Sequence, residues 1–282
     1  MAQPPSHYVG PDTATVAALE ATAADLAESA GEQICAACEG ELGVDFKPPA
    51  AGSAPNSNPV SRMDKHVESL IRRRLADAYP EHTIIGEEFP PTPSSSPFTW
   101  VVDPIDGTTN FINGLPLFAC SIGVLFRGRP IAGAIWCAST HTFRPGTYHA
   151  SAGGPLQFDG RPLSRRAAGS WRGLAAEPGR APTYAAGWDT RVLGCATVEF
   201  AYVAAGLLRI AYIPRPRIWD AAAGLALLHA ADCRAMVERA SRWNTMLYFP
   251  VSGERPDNLV DWSEALLIGS QSELARACAH GA

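Results

Sequence analysis

Apolar residues that recur every three or four positions predict two helices in the first third of the chain. The first covers residues 13–39, which are rich in Ala, Leu and Glu. A second apolar stripe occupies residues 67–78, after a helix-start signal in which Ser61 is followed by Asp64. Between the two helices, residues 47–58 are dominated by Pro, Ser, Gly and Asn and predict an irregular loop.

Beyond residue 80 the pattern changes to short apolar runs that are separated by turn residues. These runs predict strands at 83–85, 98–102, 117–126, 130–137 and 146–150. After residue 164, predicted helices over 198–208 and 220–231 flank a predicted strand over 209–213. We therefore expect an α+β domain over residues 1–152 and an α/β domain over residues 153–282.

Composition and charge limit the class of protein. The chain has 282 residues, 46% of them hydrophobic, and a net charge of −5, which is typical of a folded chain and argues against a nucleic-acid-binding surface. No run approaches the roughly 18 apolar residues that a spanning helix needs, and the first residues lack the regions of a secretory signal. The seven cysteines lie mostly in apolar runs and indicate buried, unpaired thiols. We expect a cytoplasmic protein with no membrane partner.

The most informative stretch follows the predicted strand at 98–102. Asp103 ends this strand and Asp106 follows the turn at Pro104, so that both carboxylates can face one point. Gly107 permits a close backbone turn, after which exposed amides can hold an anion. Two carboxylates beside such amides suit a metal-assisted phosphate site. The competing interpretation is an ordinary turn, since Asp-Pro and Asp-Gly are common turn dipeptides.

Two other acidic positions favour the metal site. Glu87 and Glu88 follow a short apolar strand, where adjacent acids need solvent or a cation. Asp220 lies at the start of an otherwise apolar helix, where its structural interpretation is a helix cap.

The nine residues DPIDGTTNF at 103–111, preceded by Gly-Glu-Glu at 86–88 and followed by Trp-Asp at 219–220, resemble the inositol monophosphatase family. That family consists of lithium-sensitive, magnesium-dependent phosphatases. The resemblance implies an α/β and α+β fold, a layered αβαβα sandwich of the inositol monophosphatase/fructose-1,6-bisphosphatase type. It also implies a homodimer that acts on a small phosphorylated metabolite.

The resemblance further implies a role for each matching residue. Two or three Mg2+ ions, or Mn2+, would be held by oxygen ligands, which both ions prefer. The implied metal ligands are Glu87, Asp103, the backbone carbonyl of Ile105, Asp106 and Asp220. Asp64 and Thr108 would orient and deprotonate the attacking water with the help of Glu87 and its metal, and the amides of Gly107 and Thr108 would bind phosphate.

The substrate is less closely defined than the chemistry. The positions implied to line the substrate are Arg191, Gly194, Cys195, Ala196 and Ile213. Ile213 stands where inositol-specific members have a Glu, while Arg215 and Arg217 lie nearby and suit a more anionic substrate or a solvated loop. We expect an inositol-1-phosphate-type phosphomonoesterase. The alternatives are another sugar, cyclitol or amino-alcohol phosphate (fructose-1,6-bisphosphate, histidinol phosphate), 3'-phosphoadenosine phosphate, or a regulatory member that does not rely on catalysis.

The remaining patterns are interpreted as structural. Cys35 and Cys38 have metal-ligand spacing but no partner pair, which favours helix packing. The arginines at 72–74 are typical of a solvated helix face. His141 and His149 have no spacing partner that would complete a catalytic triad. Four tryptophans are predicted to be core or interface residues: Trp171, Trp188, Trp243 and Trp262.

Overall fold

The computed structural model describes residues 10–38, 43–46, 59–92, 94–178, 184, 187–239, 242–250 and 259–280. The helices in this part of the chain are α1 (Thr13–Ala37), α2 (Arg62–Ala78), α3 (Thr108–Ile112), α4 (Ala196–Ala205), α5 (Ile218–Ala230) and α6 (Gln271–His280). The strands are β1 (Val44–Phe46), β2 (Pro59–Ser61), β3 (Thr83–Gly86), β4 (Phe98–Asp106), β5 (Ala119–Phe126), β6 (Arg129–Cys137), β7 (Gly146–Ser151), β8 (Gln157–Phe158), β9 (Arg161–Pro162), β10 (Leu174–Ala176), β11 (Asp189–Arg191), β12 (Leu208–Ile213), β13 (Cys233–Arg239), β14 (Arg242–Thr245) and β15 (Leu266–Ser270). The predicted loop at 47–58 lies outside the described residues.

Two sheets form the framework. The first has the order β3-β4-β5-β6-β7-β8-β9, in which β3 and β4 pair in parallel and the other neighbours are antiparallel. The second has the order β11-β10-β12-β15-β13-β14, with β10 parallel to both β11 and β12. The helices α1 and α2 cover one face of the first sheet, α4 and α5 fill the space between the sheets, and α6 covers the second sheet. The predicted layered αβαβα sandwich is therefore confirmed.

The first sheet continues beyond the predicted domain boundary. Its last strand, β9, ends at Pro162, and the second sheet begins with β10 at Leu174. A single apolar core joins residues of both sheets through α4 and α5. The division at residue 152 stays a prediction, and it falls between β7 and β8 of one continuous sheet.

The middle helix layer brings two backbones close together. Helix α5 is buried along most of its length because it lies between the sheets, which explains its apolar sequence on every side. Gly123 and Gly133 face it from β5 and β6. A Cβ on Gly123 would lie 2.7 Å from the amide nitrogen of Ala223, and one on Gly133 would lie 2.6 Å from the Cα of the same residue. Gly123 and Gly133 thus allow α5 to lie close to the first sheet, and the first turn of α5 carries Asp220.

A buried polar cluster joins α1 to the first sheet and was not expected from the helical pattern. The carboxylate of Glu20 accepts hydrogen bonds from His149 Nδ1 at 2.8 Å, from Gln157 Nε2 at 3.0 Å and from the Ser151 hydroxyl. Burial raises the pKa of Glu20, but the hydrogen bonds from His149 and Ser151 outweigh it, so that the pKa lies below its ordinary value. His149 is therefore a hydrogen-bonded core residue, and its environment supplies no triad.

Some structural interpretations of the sequence are wrong. Cys35 and Cys38 are exposed, because the buried face of α1 ends at Ile34 and both cysteines point away from it. The prediction of core or interface tryptophans is not contradicted, since Trp188 and Trp262 are buried and Trp171, which is 64% exposed, keeps only its interface interpretation. All seven cysteines are unpaired, and four of them are buried. No helix among the described residues has the length and apolar character needed to cross a membrane.

Gly31 offers a test of the packing of α1 on the first sheet. A Cβ at this position would lie 2.2 Å from the indole of Trp136. Gly31→Ala should lower the free energy of unfolding by about 1–3 kcal/mol through overpacking, although alanine is the better helix former by about 1 kcal/mol. Urea unfolding measures the change.

The matched control repeats the substitution in a Trp136→Leu background, which removes the indole. There Gly31→Ala should be neutral or stabilising, because only the helix preference remains. Stabilisation by Gly31→Ala in the wild-type background would contradict this packing.

Candidate functional site

The carboxylates of the central motif lie where β4 becomes irregular. The pairing of β4 with β5 shifts register between Asp103 and Asp106, because Pro104 has no backbone N–H to give to the ladder. Asp103 is buried. Asp106 accepts hydrogen bonds at Oδ2 from the amide of Thr197 at 2.6 Å and from Cys195 Sγ at 3.2 Å. Asp106 is thus positioned both by the first sheet, to which it belongs, and by the start of α4.

Asp220 reaches the same point from the opposite side. It lies in the first turn of α5, where its Oδ2 accepts a hydrogen bond from the amide of Arg217 at 2.6 Å. The N-cap of α5 is Arg217, so that Asp220 is not the predicted N-cap but closes a capping box from the third helical position. Its carboxylate also joins Asp103 and Asp106. One oxygen from each of these three residues, here called the carboxylate cluster, lies within 4.8 Å of the others. Sequence positions more than a hundred residues apart are brought together by the packing of α5 on the first sheet.

The carboxylate cluster has the properties of a cation site. Burial raises the pKa of Asp103 well above its ordinary value, and the charges of Glu87, Asp106 and Asp220 raise it further. Burial and the charge of Asp106 likewise raise the pKa of Asp220. Among the described residues, the buried Oδ1 of Asp103 has no hydrogen-bond partner. An all-oxygen donor set with an unsatisfied buried oxygen fits a hard divalent cation such as Mg2+.

Two residues of helix α2 hold the segment that carries Glu87. Glu68 is fully buried and accepts a hydrogen bond from the amide of Glu88 at 2.8 Å, and Arg72 donates both to Glu68 Oε1 at 2.7 Å and to the carbonyl of Phe89 at 2.9 Å. These two residues, the Glu68–Arg72 bracket, hold the segment that carries Glu87. Gly86 is needed beside them, since a Cβ there would lie 2.1 Å from Glu68 Oε1.

The bracket corrects the expectation that the arginines at 72–74 form a solvated face. Arg73 and Arg74 are exposed, but Arg72 lies four residues after Glu68 on the inner side of α2, and only 14% of its side chain is exposed. Sequence reasoning missed Glu68. The signal that could have found it is the series Asp64, Glu68 and Arg72, whose spacing of four places three charges on one helix face.

Asp64 and Thr108 meet as the resemblance implies. The Thr108 hydroxyl donates to Asp64 Oδ1 at 3.2 Å and lies 3.0 Å from the carbonyl oxygen of Ile105. Gly107 precedes α3 with a φ of 81°, the left-handed conformation that favours glycine. The amides of the first helical turn have no partner within the helix, so that they are available to an anion at this end of α3.

A cavity of about 400 Å³, in the range of small-ligand pockets, opens over the carboxylate cluster. Its lining includes the predicted residues Glu87, Asp103, Ile105, Asp106, Gly107, Thr108 and Asp220, and four others: Arg217, Trp219, Val260 and Asp261. Sequence reasoning named Arg217 as a neighbour and Trp219 as part of the motif, and missed Val260 and Asp261. Asp261 comes from the connection before β15, a position that no local pattern marks.

The residues implied to line the substrate are not among the described residues that line this cavity. Cys195 is buried behind Asp106, and Ala196 begins α4. Gly194 lies beside Asn110, and Arg191 is exposed at the end of β11. Ile213 is 6% exposed and belongs to the apolar core between the sheets. Their contact with substrate stays a prediction.

Breaking the Glu68–Arg72 bracket should destabilise the fold. Arg72→Ala leaves the fully buried Glu68 carboxylate without its cation, a change that costs about 3–5 kcal/mol of unfolding free energy. Arg73→Ala is the matched control, since it removes an exposed arginine of the same helix and should change stability by less than about 0.5 kcal/mol. Equal effects of the two substitutions in urea unfolding would contradict the bracket.

Comparison with known proteins places this geometry in a family. The model of the inositol monophosphatase family matches residues 16–246. Inositol-1-monophosphatase ImpA of Mycolicibacterium smegmatis is 39% identical over 186 residues, which are 58% of this chain and 66% of the relative, just under two thirds of its length. Nus factor SuhB of Escherichia coli is 34% identical over 188 residues, 61% of this chain and 69% of the relative.

The fold has solved counterparts. The crystal structure of the extragenic suppressor protein suhB from Bartonella henselae superposes with a TM-score of 0.73 at 22% identity, covering 93% of this chain and 98% of that one. The family match spans every residue of the carboxylate cluster and of the Asp64–Thr108 pair. This protein therefore belongs to the inositol monophosphatase family.

Proposed function

We propose that the protein is a Mg2+-dependent phosphomonoesterase that hydrolyses a small phosphorylated metabolite by means of an activated water. The observation that carries the proposal is the carboxylate cluster, whose three oxygens lie within 4.8 Å of one another beside the Asp64–Thr108 hydrogen bond. Such a cluster supplies the oxygen ligands that a hard cation prefers. The Thr108 hydroxyl can hold the attacking water by a hydrogen bond. Two or three ions are proposed, with Mn2+ as a chemical substitute.

The proposed ligands are Glu87, Asp103, the carbonyl of Ile105, Asp106 and Asp220. A bound divalent ion contributes Lewis acidity and lowers the pKa of bound water, which makes water a nucleophile near neutral pH. The protein contributes a rigid and buried arrangement of these oxygens. The Glu68–Arg72 bracket holds the segment of Glu87, and the packing of α5 holds Asp220.

Asp64 and Thr108 orient the attacking water. The hydroxyl of Thr108 directs its proton towards Asp64, and its oxygen lone pairs then accept a hydrogen bond from water. The buried Asp64 carboxylate is the ultimate acceptor for the proton that the water loses. Gly107 and Thr108 line the cavity, where their amides would hold the phosphate oxygens as charge develops on them.

For the substrate we place inositol-1-phosphate-type compounds first, because the relative ImpA is named as an inositol-1-monophosphatase. Arg217 in the cavity lining supports a second candidate, a metabolite with a further anionic group such as fructose-1,6-bisphosphate. Histidinol phosphate and 3'-phosphoadenosine phosphate complete the set to be tested. We also propose a homodimer in the cytoplasm, where the unpaired thiols suit a reducing environment.

A regulatory role is a further candidate, since a relative with 34% identity is named as a Nus factor. The two roles are separated by phosphate release from the substrate set with Mg2+, with a chelator, and with lithium added. Mg2+-dependent and lithium-sensitive release supports the phosphatase. Absence of release from every substrate, in protein that binds Mg2+ by calorimetry, would favour the regulatory role.

Asp103→Asn should abolish phosphate release and stabilise the metal-free protein. Loss of a central ligand is expected to lower kcat by about 10³-fold, the scale of a lost electrostatic stabiliser. Removal of one buried negative charge among like charges should raise the metal-free Tm. Asp77→Asn, an exposed acid on α2, is the control and should change neither quantity. A lower metal-free Tm for Asp103→Asn would contradict the mutual repulsion of these carboxylates.

Thr108 and Thr109 form a matched pair for the water-orienting step. Thr108→Ala removes the hydroxyl that contacts Asp64 and should lower kcat by about 10²–10⁴-fold, the usual effect of a lost proton-transfer group. Its KM should change little, because the amide remains. Thr109→Ala removes an exposed hydroxyl next to it and should preserve kcat. Steady-state kinetics at saturating Mg2+ compare the two, and equal losses would refute the assigned role of Thr108.

A further inference from the structure

A second cavity lies at the opposite end of the second sheet from the carboxylate cluster. It has a volume of about 480 Å³, within the range of small-ligand pockets. Its walls come from the segment 166–174, from the beginnings of β10 and β12, and from α6. The carboxylate cluster follows the other end of β12, about 20 Å away by the rise of six strand residues. The two cavities are therefore separate sites.

The second cavity is basic. Among the described residues that line it there are four arginines and no acidic side chain: Arg166, Arg172, Arg209 and Arg276. Two carboxylates approach these arginines from outside the lining. Asp189 lies 2.8 Å from Arg172, and Glu273 lies 3.6 Å from Arg209 and also binds Arg165. Arg172 and Arg209 are thus partly neutralised, while the lining itself carries only basic charged side chains among the described residues.

Two tryptophans share the cavity with the arginines. Trp188 is 6% exposed, and the guanidinium of Arg276 lies 4.4 Å from its ring centroid. Trp171 is 64% exposed at the rim, with the guanidinium of Arg166 at 5.6 Å from its ring centroid. Each of these two guanidinium groups thus rests against an aromatic ring, which limits its freedom. Trp171, in contrast to Trp188, keeps most of its surface exposed.

Glycines shape the wall on which these groups lie. A Cβ on Gly187 would lie 1.8 Å from Arg276 Nη2, and one on Gly169 would lie 2.4 Å from the ring of Trp171. A Cβ on Gly173 would lie 2.7 Å from the side chain of Arg209. The cationic and aromatic groups therefore pack directly on bare backbone. The cavity thus combines arginines, aromatic rings and bare backbone in its wall.

We propose that this cavity, the Arg–Trp cavity, binds a nucleotide: a phosphorylated nucleoside whose base stacks on Trp171 and whose phosphate is held by the arginines. Guanidinium groups bind phosphate in a two-pronged geometry, and an exposed indole offers a platform for any base. Inorganic phosphate alone would leave Trp171 without a role. A long single-stranded nucleic acid is disfavoured, because the chain carries a net negative charge outside this local basic region.

Calorimetric titration of the full-length protein with AMP, UMP, inorganic phosphate and a short single-stranded RNA tests the proposal. A chelator is present throughout, so that no metal-dependent binding occurs at the carboxylate cluster. We expect saturable binding of the nucleoside monophosphates and much weaker binding of phosphate. Trp171→Leu and Arg166→Gln should each weaken it roughly tenfold, the scale of one lost stacking contact. Trp171→Phe should restore part of the affinity, because a ring is kept.

Phe143→Leu and Arg234→Gln are the matched controls, because Phe143 is 95% exposed and Arg234 is also exposed, both away from the cavity. They should bind nucleotide like the wild type, and circular dichroism verifies that every variant is folded. Three outcomes with the wild-type protein would overturn the proposal. These are absence of saturable nucleotide binding, equal affinity for inorganic phosphate and nucleotide, and binding of the RNA alone. Nucleotide binding that is unchanged in both Trp171→Leu and Arg166→Gln would place the nucleotide outside this cavity, and would also overturn the proposal.

Discussion

The mutual repulsion of buried carboxylates is the constraint on which the rest of the structure depends. Asp103, Asp106 and Asp220 bring negative charge into one desolvated volume, and burial together with that charge raises the pKa of each group. Such an arrangement opposes folding unless the surrounding structure enforces it. The enforcement comes from apolar burial on every side. Helix α5 is packed between two sheets, and glycines at positions 123 and 133 let its backbone approach the first sheet closely enough to carry Asp220 to the end of β4.

One face of α2 links the parts of the site that differ in chemical role. Asp64, Glu68 and Arg72 follow one another at intervals of four residues, which places them in a row along the helix. Asp64 accepts a hydrogen bond from the hydroxyl of Thr108. Glu68 and Arg72 hold the backbone segment that follows β3 and carries Glu87. The positions of the proposed water-orienting group and of a proposed metal ligand therefore both depend on the same helix, α2. A shift of α2 would change both together.

The second sheet separates two cavities of opposite charge. The acidic cavity over the carboxylate cluster suits cations and, through them, a phosphate ester. The Arg–Trp cavity at the other end suits an anion with a flat ring. Parallel strands β10 and β12 begin at the basic cavity, and the connection from β12 to α5 ends at the acidic one. The sheet thus gives a direct structural connection between the site of the proposed reaction and the site of the proposed nucleotide.

The sequence by itself determined the family, the acidic motif and the types of the elements that it predicted, because these depend on local periodicity and on a contiguous pattern of residues. Strand and helix bounds agreed with the predictions to within a few residues for β3 to β7, α4 and α5. Only the tertiary structure decided which distant groups meet. Glu20 appeared as one acid of an amphipathic helix but is the hydrogen-bonded partner of His149, and Arg72 appeared solvated but pairs with the buried Glu68. Asp261 reaches the acidic cavity from a segment far from the motif, and the walls of the Arg–Trp cavity also come from segments that are far apart in sequence. Local patterns report the preference of a residue for a helix, a strand or solvent, whereas the partners of a buried charge are set by how whole layers pack.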